Sequence, residues 1–140
     1  MMSDSEAATH AIAQTLARTC KPGDCILLKG DLGTGKTTFA RGFIRALCDT
    51  REEIVSPTFT LAQTYDTRDG GTLWHFDLYR LKSPQDVWEL GLEDALLSGI
   101  SLIEWPEMAG QYVPRNAGEI FITYGAMPHE RIFMIKGMRQ

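Results

Sequence analysis

The chain has 140 residues, of which 44% are apolar and 23% charged, and its formal net charge at pH 7 is -4. This length favours a single compact domain over residues 1–140, and the negative charge argues against non-specific binding to nucleic acid. The polar, acidic segment "MMSDSEAATH" lacks the pattern of a secretory leader, and no apolar run approaches the ~20 residues that a membrane span needs. We therefore expect a cytoplasmic protein with no membrane segment.

The three cysteines are Cys20, Cys25 and Cys48, an odd number with no C-x-x-C pair among them. This pattern is typical of reduced thiols in an intracellular protein. We expect all three to lie in or near the hydrophobic core.

The first half of the chain predicts a helix, a buried strand and a second helix. Apolar residues recur at helical spacing over residues 5–19, and the turn-forming "KPGD" ends that helix. Residues 25–30, "CILLKG", are a short apolar run of the kind found in buried strands. Residues 36–47 place Phe39, Phe43 and their apolar neighbours on one face, which predicts an amphipathic helix.

The second half predicts a hairpin, a helix and three more strands. Residues 59–67 and 72–81 have strand patterns on either side of the turn "RDGG", which indicates an antiparallel hairpin. Residues 83–99 predict a helix, because Ser83 suits the N-cap and Pro84 the first helical position. Strand patterns follow at residues 100–105, 119–126 and 130–138. The predicted fold class is α/β, a mixed parallel and antiparallel sheet flanked by helices.

Residues 30–37, "GDLGTGKT", fit the pattern G-x-x-x-x-G-K-[ST] of a phosphate-binding loop, or P-loop. The glycines let the loop curl so that backbone N–H groups face phosphate oxygens, and the following helix directs its positive end to the same place. Lys36 can reach the β- and γ-phosphates, and the Thr37 hydroxyl can bind Mg²⁺. The sequence thus predicts a nucleoside triphosphate site. The expected phosphate-binding residues are Asp31, Leu32, Gly33, Thr34, Gly35, Lys36, Thr37 and Thr38.

Two carboxylates follow strand patterns and are candidates for the catalytic site. Glu104 ends the apolar run "ISLIE", where a P-loop enzyme usually has an aspartate that holds Mg²⁺ or orients water. Its alternative role is a carboxylate on a solvated strand end. Strand alternation places Asp77 on the face opposite Phe76, so Asp77 can face the nucleotide, although an ion pair with Arg80 is the alternative. His75 favours a structural or hydrogen-bonding role.

The segment "SPTFT" carries three hydroxyl groups, those of Ser56, Thr58 and Thr60. Hydroxyls on a loop near the phosphates can sense the γ-phosphate and Mg²⁺, ordering the loop in one state and releasing it in the other. Ordinary turn and strand chemistry is the alternative. The residues alone do not separate the two.

Four motifs, "GDLGTGKTTF", "SPTFTL", "HFDLYRL" and "LIEWPE", resemble the TsaE family, formerly YjeE, in their order and spacing. The members of this family are small bacterial ATPases required for making threonylcarbamoyladenosine in tRNA. The resemblance implies a single P-loop domain that uses ATP and Mg²⁺.

The resemblance also implies roles for individual residues. Lys36 and Thr37 match the phosphate- and magnesium-binding residues, Asp77 matches the acid of the HxDLYR motif, and Glu104 with Trp105 matches the EW pair. The catalytic set is then Lys36, Asp77 and Glu104, with Thr37 and Glu104 at the metal. Trp105 and Thr60 join the nucleotide-binding residues. Thr34 stands where many relatives have alanine, a change that we expect to alter little.

The resemblance implies an accessory motor rather than the enzyme that modifies tRNA. Its expected partner is a TsaB–TsaD pair, in which TsaD carries the transfer to adenosine next to the anticodon, so contact with tRNA is indirect. A small-molecule kinase is one alternative, although no long insertion could form an arginine-bearing lid. A nucleotide-gated binding module with incidental hydrolysis is another. A Ras-like GTPase is disfavoured because the sequence has no N-K-x-D motif.

Overall fold

A computed structural model describes residues 1–50, 54 and 56–138. Among these residues, no helix combines the length and the apolar character needed to cross a bilayer. The strands are β1 Met2–Ser3, β2 Cys25–Lys29, β3 Ala62–Asp66, β4 Thr72–Asp77, β5 Ile100–Glu104, β6 Gly118–Tyr124 and β7 Arg131–Lys136. The helices are α1 Glu6–Ala17, α2 Lys36–Leu47 and α3 Leu92–Ser98, with 3₁₀ segments at Pro84–Leu90 and Pro106–Tyr112.

The strands form one seven-stranded mixed sheet in the order β1-β7-β6-β2-β5-β4-β3. The four central strands β6, β2, β5 and β4 are parallel, and β3, β7 and β1 join antiparallel. This arrangement confirms the predicted α/β class and the predicted hairpin. Parallel strands present their carboxyl ends at one edge, so the segments that follow β2, β4 and β5 meet there.

A separate hydrophobic cluster lies on each face of the sheet. Helices α1 and α2 cover one face, where Phe39 and Phe43 pack against Leu28 and Leu102. The two 3₁₀ segments and α3 cover the other face of the central strands, around Phe76. Central strands that are buried on both faces hold the carboxyl edge of the sheet in a fixed position.

Helix α2 lies unusually close to α1 at Gly42. A Cβ atom at Gly42 would lie 2.9 Å from the Cα atom of His10. Only glycine permits this approach, and α2 therefore packs closely against α1. Since the loop before α2 ends at the start of this helix, the position of that end of the loop is fixed as well.

The helix predicted over residues 83–99 is wrong as a single element. It divides at Gly91, whose φ of 93° ends the 3₁₀ segment and precedes α3. A Cβ atom there would lie 2.5 Å from the Trp74 ring, so the close approach also requires glycine. Ser83 and Pro84 occupy the predicted N-cap and first positions, although the Ser83 side chain forms no capping hydrogen bond.

Strand β3 begins three residues later than predicted, at Ala62 instead of Phe59. The chain turns over residues 58–60, and the Leu61 N–H donates to the Pro57 carbonyl at 2.7 Å. Leu61 has a φ of 67°, which is incompatible with a strand. The turn brings the hydroxyls of the "SPTFT" segment beside the end of β4.

Candidate functional site

The P-loop connects β2 to α2 and leaves the start of the helix open. Gly35 is the N-cap of α2 with a φ of 102°, in the region that favours glycine. No side chain caps the helix, and its first turn has no acidic residue. The first N–H groups of a 12-residue helix are therefore available to an anion, which the helix dipole also favours.

Local contacts hold the beginning of the loop. The Lys36 ammonium donates to the Gly30 carbonyl, and the Thr34 hydroxyl donates to the Asp31 carbonyl at 2.8 Å. A Cβ atom at Gly30 would lie 2.6 Å from the Ile122 carbonyl oxygen, so the loop passes tightly over β6. These contacts thus fix the beginning of the loop.

Lys36 is 6% exposed and lies at the base of the site. Its Nζ atom is 3.4 Å from the centre of the Trp105 ring, close enough for a cation–π interaction. Burial lowers the pKa of Lys36, and the charges of neighbouring carboxylates, of which Glu104 contributes most, oppose this shift. Acidic groups therefore surround a buried amine, as expected where phosphate and metal charges are to be balanced.

Glu104 is the last residue of β5 and is 2% exposed. His75 Nε2 on β4 and Glu104 Oε2 share a hydrogen bond of 2.6 Å. The other ring nitrogen, Nδ1, has no hydrogen-bond partner among the described residues. His75 is thus a hydrogen-bonding neighbour that orients the carboxylate. The solvated strand end considered for Glu104 does not occur.

Asp77 ends β4 directly beside Glu104 in the sheet register. Its Oδ2 atom accepts from the Ser56 hydroxyl at 2.8 Å and from the Thr58 hydroxyl at 3.4 Å. Its Oδ1 atom accepts from the Tyr79 N–H at 3.2 Å. Asp77 therefore fastens the "SPTFT" loop to the site.

Arg80 forms no ion pair with Asp77 in the part of the chain that the structure describes. Its guanidinium instead lies 4.6 Å from the centre of the Phe59 ring. Phe59 itself is 82% exposed.

A cleft of about 410 Å³ brings these groups together; we call it the Lys36 cleft. Nine of the predicted residues line it: Leu32, Gly33, Gly35, Lys36, Thr37, Thr38, Asp77, Glu104 and Trp105. Sequence reasoning left Tyr79 and Arg80 out of the site, and gave Ser56 and Thr58 only as candidates, but all four also line the cleft. The signal available for Tyr79 and Arg80 was their place in the HxDLYR motif, as its last two residues.

Three predicted residues are outside the lining of the Lys36 cleft. Thr60 is exposed in the turn before β3, and Asp31 is exposed on the outside of the loop. Thr34 is buried and lines a second cleft of about 350 Å³ together with Glu6, His129 and Arg131, which we call the Arg131 cleft. The two clefts share Gly33, Gly35 and Thr38. The start of α2 therefore borders both clefts.

Mg²⁺ is a hard cation that prefers oxygen ligands and is commonly held by one or two carboxylates together with phosphates and water. The described residues contain no group of three or more His, Cys, Asp and Glu side chains that could hold a metal alone. The oxygen donors of the Lys36 cleft are those of Thr37, Glu104 and Asp77, with hydroxyls nearby. This set fits a Mg²⁺ ion that arrives with a nucleotide.

A family model described as threonylcarbamoyl adenosine biosynthesis protein TsaE matches residues 3–132. The chain belongs to the TsaE family. The four motifs quoted from the sequence all lie inside the matched region.

Two curated relatives are named tRNA threonylcarbamoyladenosine biosynthesis protein TsaE. The one from Rickettsia bellii is 49% identical over 117 residues, which cover 84% of this chain and 81% of that protein. The one from Rickettsia felis is 50% identical over 105 residues, which cover 75% of this chain and 61% of that longer protein. A crystal structure of YdiB from Bacillus subtilis superposes with a TM-score of 0.77 at 33% identity, covering 96% of this chain and 82% of that chain.

Proposed function

We propose that this TsaE-family protein binds ATP with Mg²⁺ and hydrolyses it to support the threonylcarbamoylation of tRNA adenosine. The observation that carries the proposal is the Lys36 cleft. It joins the uncapped start of α2, a buried amine, and two carboxylates from adjacent strands in one cavity. The names of the relatives supply the pathway.

Each group has a role in the proposed hydrolysis. The loop N–H groups and Lys36 bind the phosphate oxygens and take up charge that develops on them. Thr37 and Glu104 would hold Mg²⁺, directly or through a water molecule. When bound, Mg²⁺ neutralises charge on the phosphates. His75 keeps the Glu104 carboxylate oriented through the 2.6 Å hydrogen bond.

Asp77 has a role that depends on the loop. Its Oδ2 atom accepts from Ser56 and Thr58 in the structure described. We propose that this carboxylate positions the attacking water or the metal shell when those hydroxyls turn to the nucleotide. The loop would then report the nucleotide state to a partner.

The Arg131 cleft is the proposed place for the sugar and the base. It shares the start of α2 with the Lys36 cleft and lies beside the loop, so a nucleotide with its phosphates at Lys36 can extend into it. The expected partner is a TsaB–TsaD pair, with tRNA contacted through that complex.

The experiment that tests this proposal is ATP hydrolysis by the purified protein, alone and with a TsaB–TsaD pair and tRNA. We expect slow turnover alone and faster turnover with the partners, both dependent on Mg²⁺. Absence of ATP binding would overturn the nucleotide assignment. Turnover that the partners leave unchanged, with no complex formed, would overturn the accessory role.

The hydrogen bonds from the loop to Asp77 also favour a second candidate, a nucleotide-gated binding module whose hydrolysis is incidental. In this case ATP binding alone suffices for assembly. A Glu104→Gln variant that binds ATP without turnover separates the two: it should assemble with the partners and sustain repeated tRNA modification only if hydrolysis is dispensable.

A further inference from the structure

We infer that the β6–β7 hairpin holds the P-loop in its phosphate-binding geometry, and that Tyr124 and Arg131 are positioning residues for nucleotide binding. The inference rests on the proposed function, since it concerns the same site. It assigns roles to two residues that lie far from every sequence motif of the site.

The hairpin contacts two carbonyl groups of the loop. The Tyr124 hydroxyl donates to the Leu32 carbonyl at 3.2 Å, and Arg131 Nε donates to the Thr34 carbonyl at 3.0 Å. The partners are 92 and 97 residues apart in the chain. Both donors belong to the hairpin, and neither Tyr124 nor Arg131 lines the Lys36 cleft.

Because the peptide bond is planar, a contact that holds a carbonyl group also orients the N–H group of the same peptide. The carbonyl of Leu32 shares a peptide plane with the N–H of Gly33, and the carbonyl of Thr34 shares one with the N–H of Gly35. In a trans peptide the two groups point in opposite directions. A hairpin donor that holds each carbonyl therefore turns the Gly33 and Gly35 N–H groups away from the hairpin, and both residues line the Lys36 cleft, which the two donors do not line.

These two peptides need an external constraint because glycine rotates freely. Gly33 and Gly35 have φ values of 80° and 102°, and glycine occupies positive and negative φ with similar ease. Neither carbonyl is held by a side chain of the loop itself. Without the hairpin, the loop would lose the alignment that makes its N–H groups converge on a phosphate.

The hairpin is itself ordered, so its donors are held in place. Arg131 Nη1 donates to the carbonyls of Pro128 at 2.7 Å and Glu130 at 2.9 Å. The Arg131 guanidinium also lies 4.6 Å from the centre of the Tyr124 ring. Glu130 closes the turn by accepting from the Met127 N–H at 2.8 Å. The two positioning residues thus form one unit.

The chain offers a matched control at the other end of α2. Arg68 also donates to backbone carbonyls, those of Ala46, Arg45 and Cys48, at 2.7, 3.1 and 3.3 Å. It lines neither cleft. Arg68→Met should therefore lower the melting temperature without changing nucleotide affinity.

The test measures two dissociation constants and a melting temperature for Tyr124→Phe, Arg131→Lys, Arg68→Met and the unmodified protein. The ligands are a fluorescent ADP analogue and inorganic tripolyphosphate, which has neither base nor sugar. Tyr124→Phe removes one hydroxyl, keeps the ring on Arg131 and changes no charge. We expect it to weaken both ligands about three- to tenfold, the range of one net hydrogen bond.

Arg131→Lys keeps the positive charge but loses the fork that reaches Thr34 and Pro128 together, so it should weaken both ligands about tenfold. Unchanged affinities in Tyr124→Phe and Arg131→Lys would overturn the inference. So would weaker binding of the ADP analogue with unchanged binding of tripolyphosphate, since the hairpin residues would then act only by contacting sugar or base in the Arg131 cleft and not by positioning the loop. If the unmodified protein binds neither ligand, the proposed function itself fails; insensitive variants of a binding protein overturn only the inference.

Discussion

The amino end of the central strand β2 and the P-loop that follows its carboxyl end each border a cavity, but the side chains that line the two cavities differ sharply. At the carboxyl end, the Lys36 cleft of about 410 Å³ collects Lys36, Asp77 and Glu104, all less than 10% exposed. At the amino end, a cavity of about 280 Å³ is lined by Cys20, Cys25 and mostly small or apolar residues. Burial raises the pKa of the Cys25 thiol to about 12, helped by the charge of Asp24.

The difference teaches that the side chains that line a cavity, and not the mere presence of a cavity, identify a site in this protein. Burying a charged group costs free energy unless the group pairs with another charge or binds a ligand. The buried charged side chains are grouped at the carboxyl end. At the amino end, the Cys25 thiol stays protonated and is therefore unreactive. The positions expected for Cys25 and Cys48 are confirmed, since both are buried, and Cys20 is half-buried.

The largest effect on the contrast between the two cavities is expected when Lys36, the buried amine of the Lys36 cleft, is replaced. Lys36→Ala should weaken ATP binding about 100-fold, because charged hydrogen bonds to phosphate are lost. Titration with a fluorescent ATP analogue checks this. Lys29→Ala is the matched control: its ammonium binds Glu119 at 2.8 Å, and Lys29 lines neither cleft. Unchanged affinity in Lys36→Ala would contradict the site.

The next variant tests turnover separately from binding. Glu104→Gln keeps the shape and can still accept from His75, but it removes the charge proposed to hold the metal. We expect hydrolysis to fall about 100-fold while ATP affinity changes about threefold or less. Steady-state turnover and equilibrium binding measure the two effects, with Glu119→Gln as control. Normal turnover would rule out the proposed metal role.

At the amino end of β2, the Cys25 thiol should make the stability of the protein depend on pH instead of on nucleotide. The pKa of Cys25 is about 12 in the folded state against 9.0 unfolded, so its contribution to stability is complete below pH 9 and is lost as pH rises toward 12. At pH 10 the loss is about 1 kcal/mol. Urea unfolding at pH 8 and pH 10 should show a steeper decline for the unmodified protein than for Cys25→Ala. Equal declines would contradict the burial of this thiol.

The smallest effect is expected at Ser101, whose buried hydroxyl has no hydrogen-bond partner among the described residues. Ser101→Ala should raise the free energy of unfolding by about 1 kcal/mol, because an unpaired polar group leaves the core. Nucleotide binding should not change, since strand alternation points Ser101 away from the face of Glu104. Thermal unfolding measures the first effect, and a lower melting temperature would indicate that the hydroxyl is paired.

Local patterns sufficed for the elements that build the cleft. Helix α2 has the predicted bounds Lys36–Leu47, and Glu104 ends a buried strand as expected. Strand alternation correctly turned Asp77 toward the P-loop face. These predictions worked because each depends on residues that are neighbours in the sequence.

Non-local pairing accounts for what the sequence could not predict. The hydrogen bond between His75 and Glu104 depends on the register of β4 and β5. The contacts of Tyr124 and Arg131 with the loop depend on the place of β6 beside β2. The division at Gly91 had a local signal, a glycine inside a helical pattern. The role predicted for Thr60 stays a prediction.

The position of Trp105 gives the site an optical probe of its own. Its ring lies 3.4 Å from the Lys36 ammonium and 4.9 Å from the Tyr79 ring. Trp74 stacks on Phe76 and Trp88 packs against Tyr112, and neither lines the Lys36 cleft or the Arg131 cleft. A phosphate that draws the ammonium away from the indole therefore changes the emission of one tryptophan of three. The filling of the cleft can be followed in the unlabelled protein.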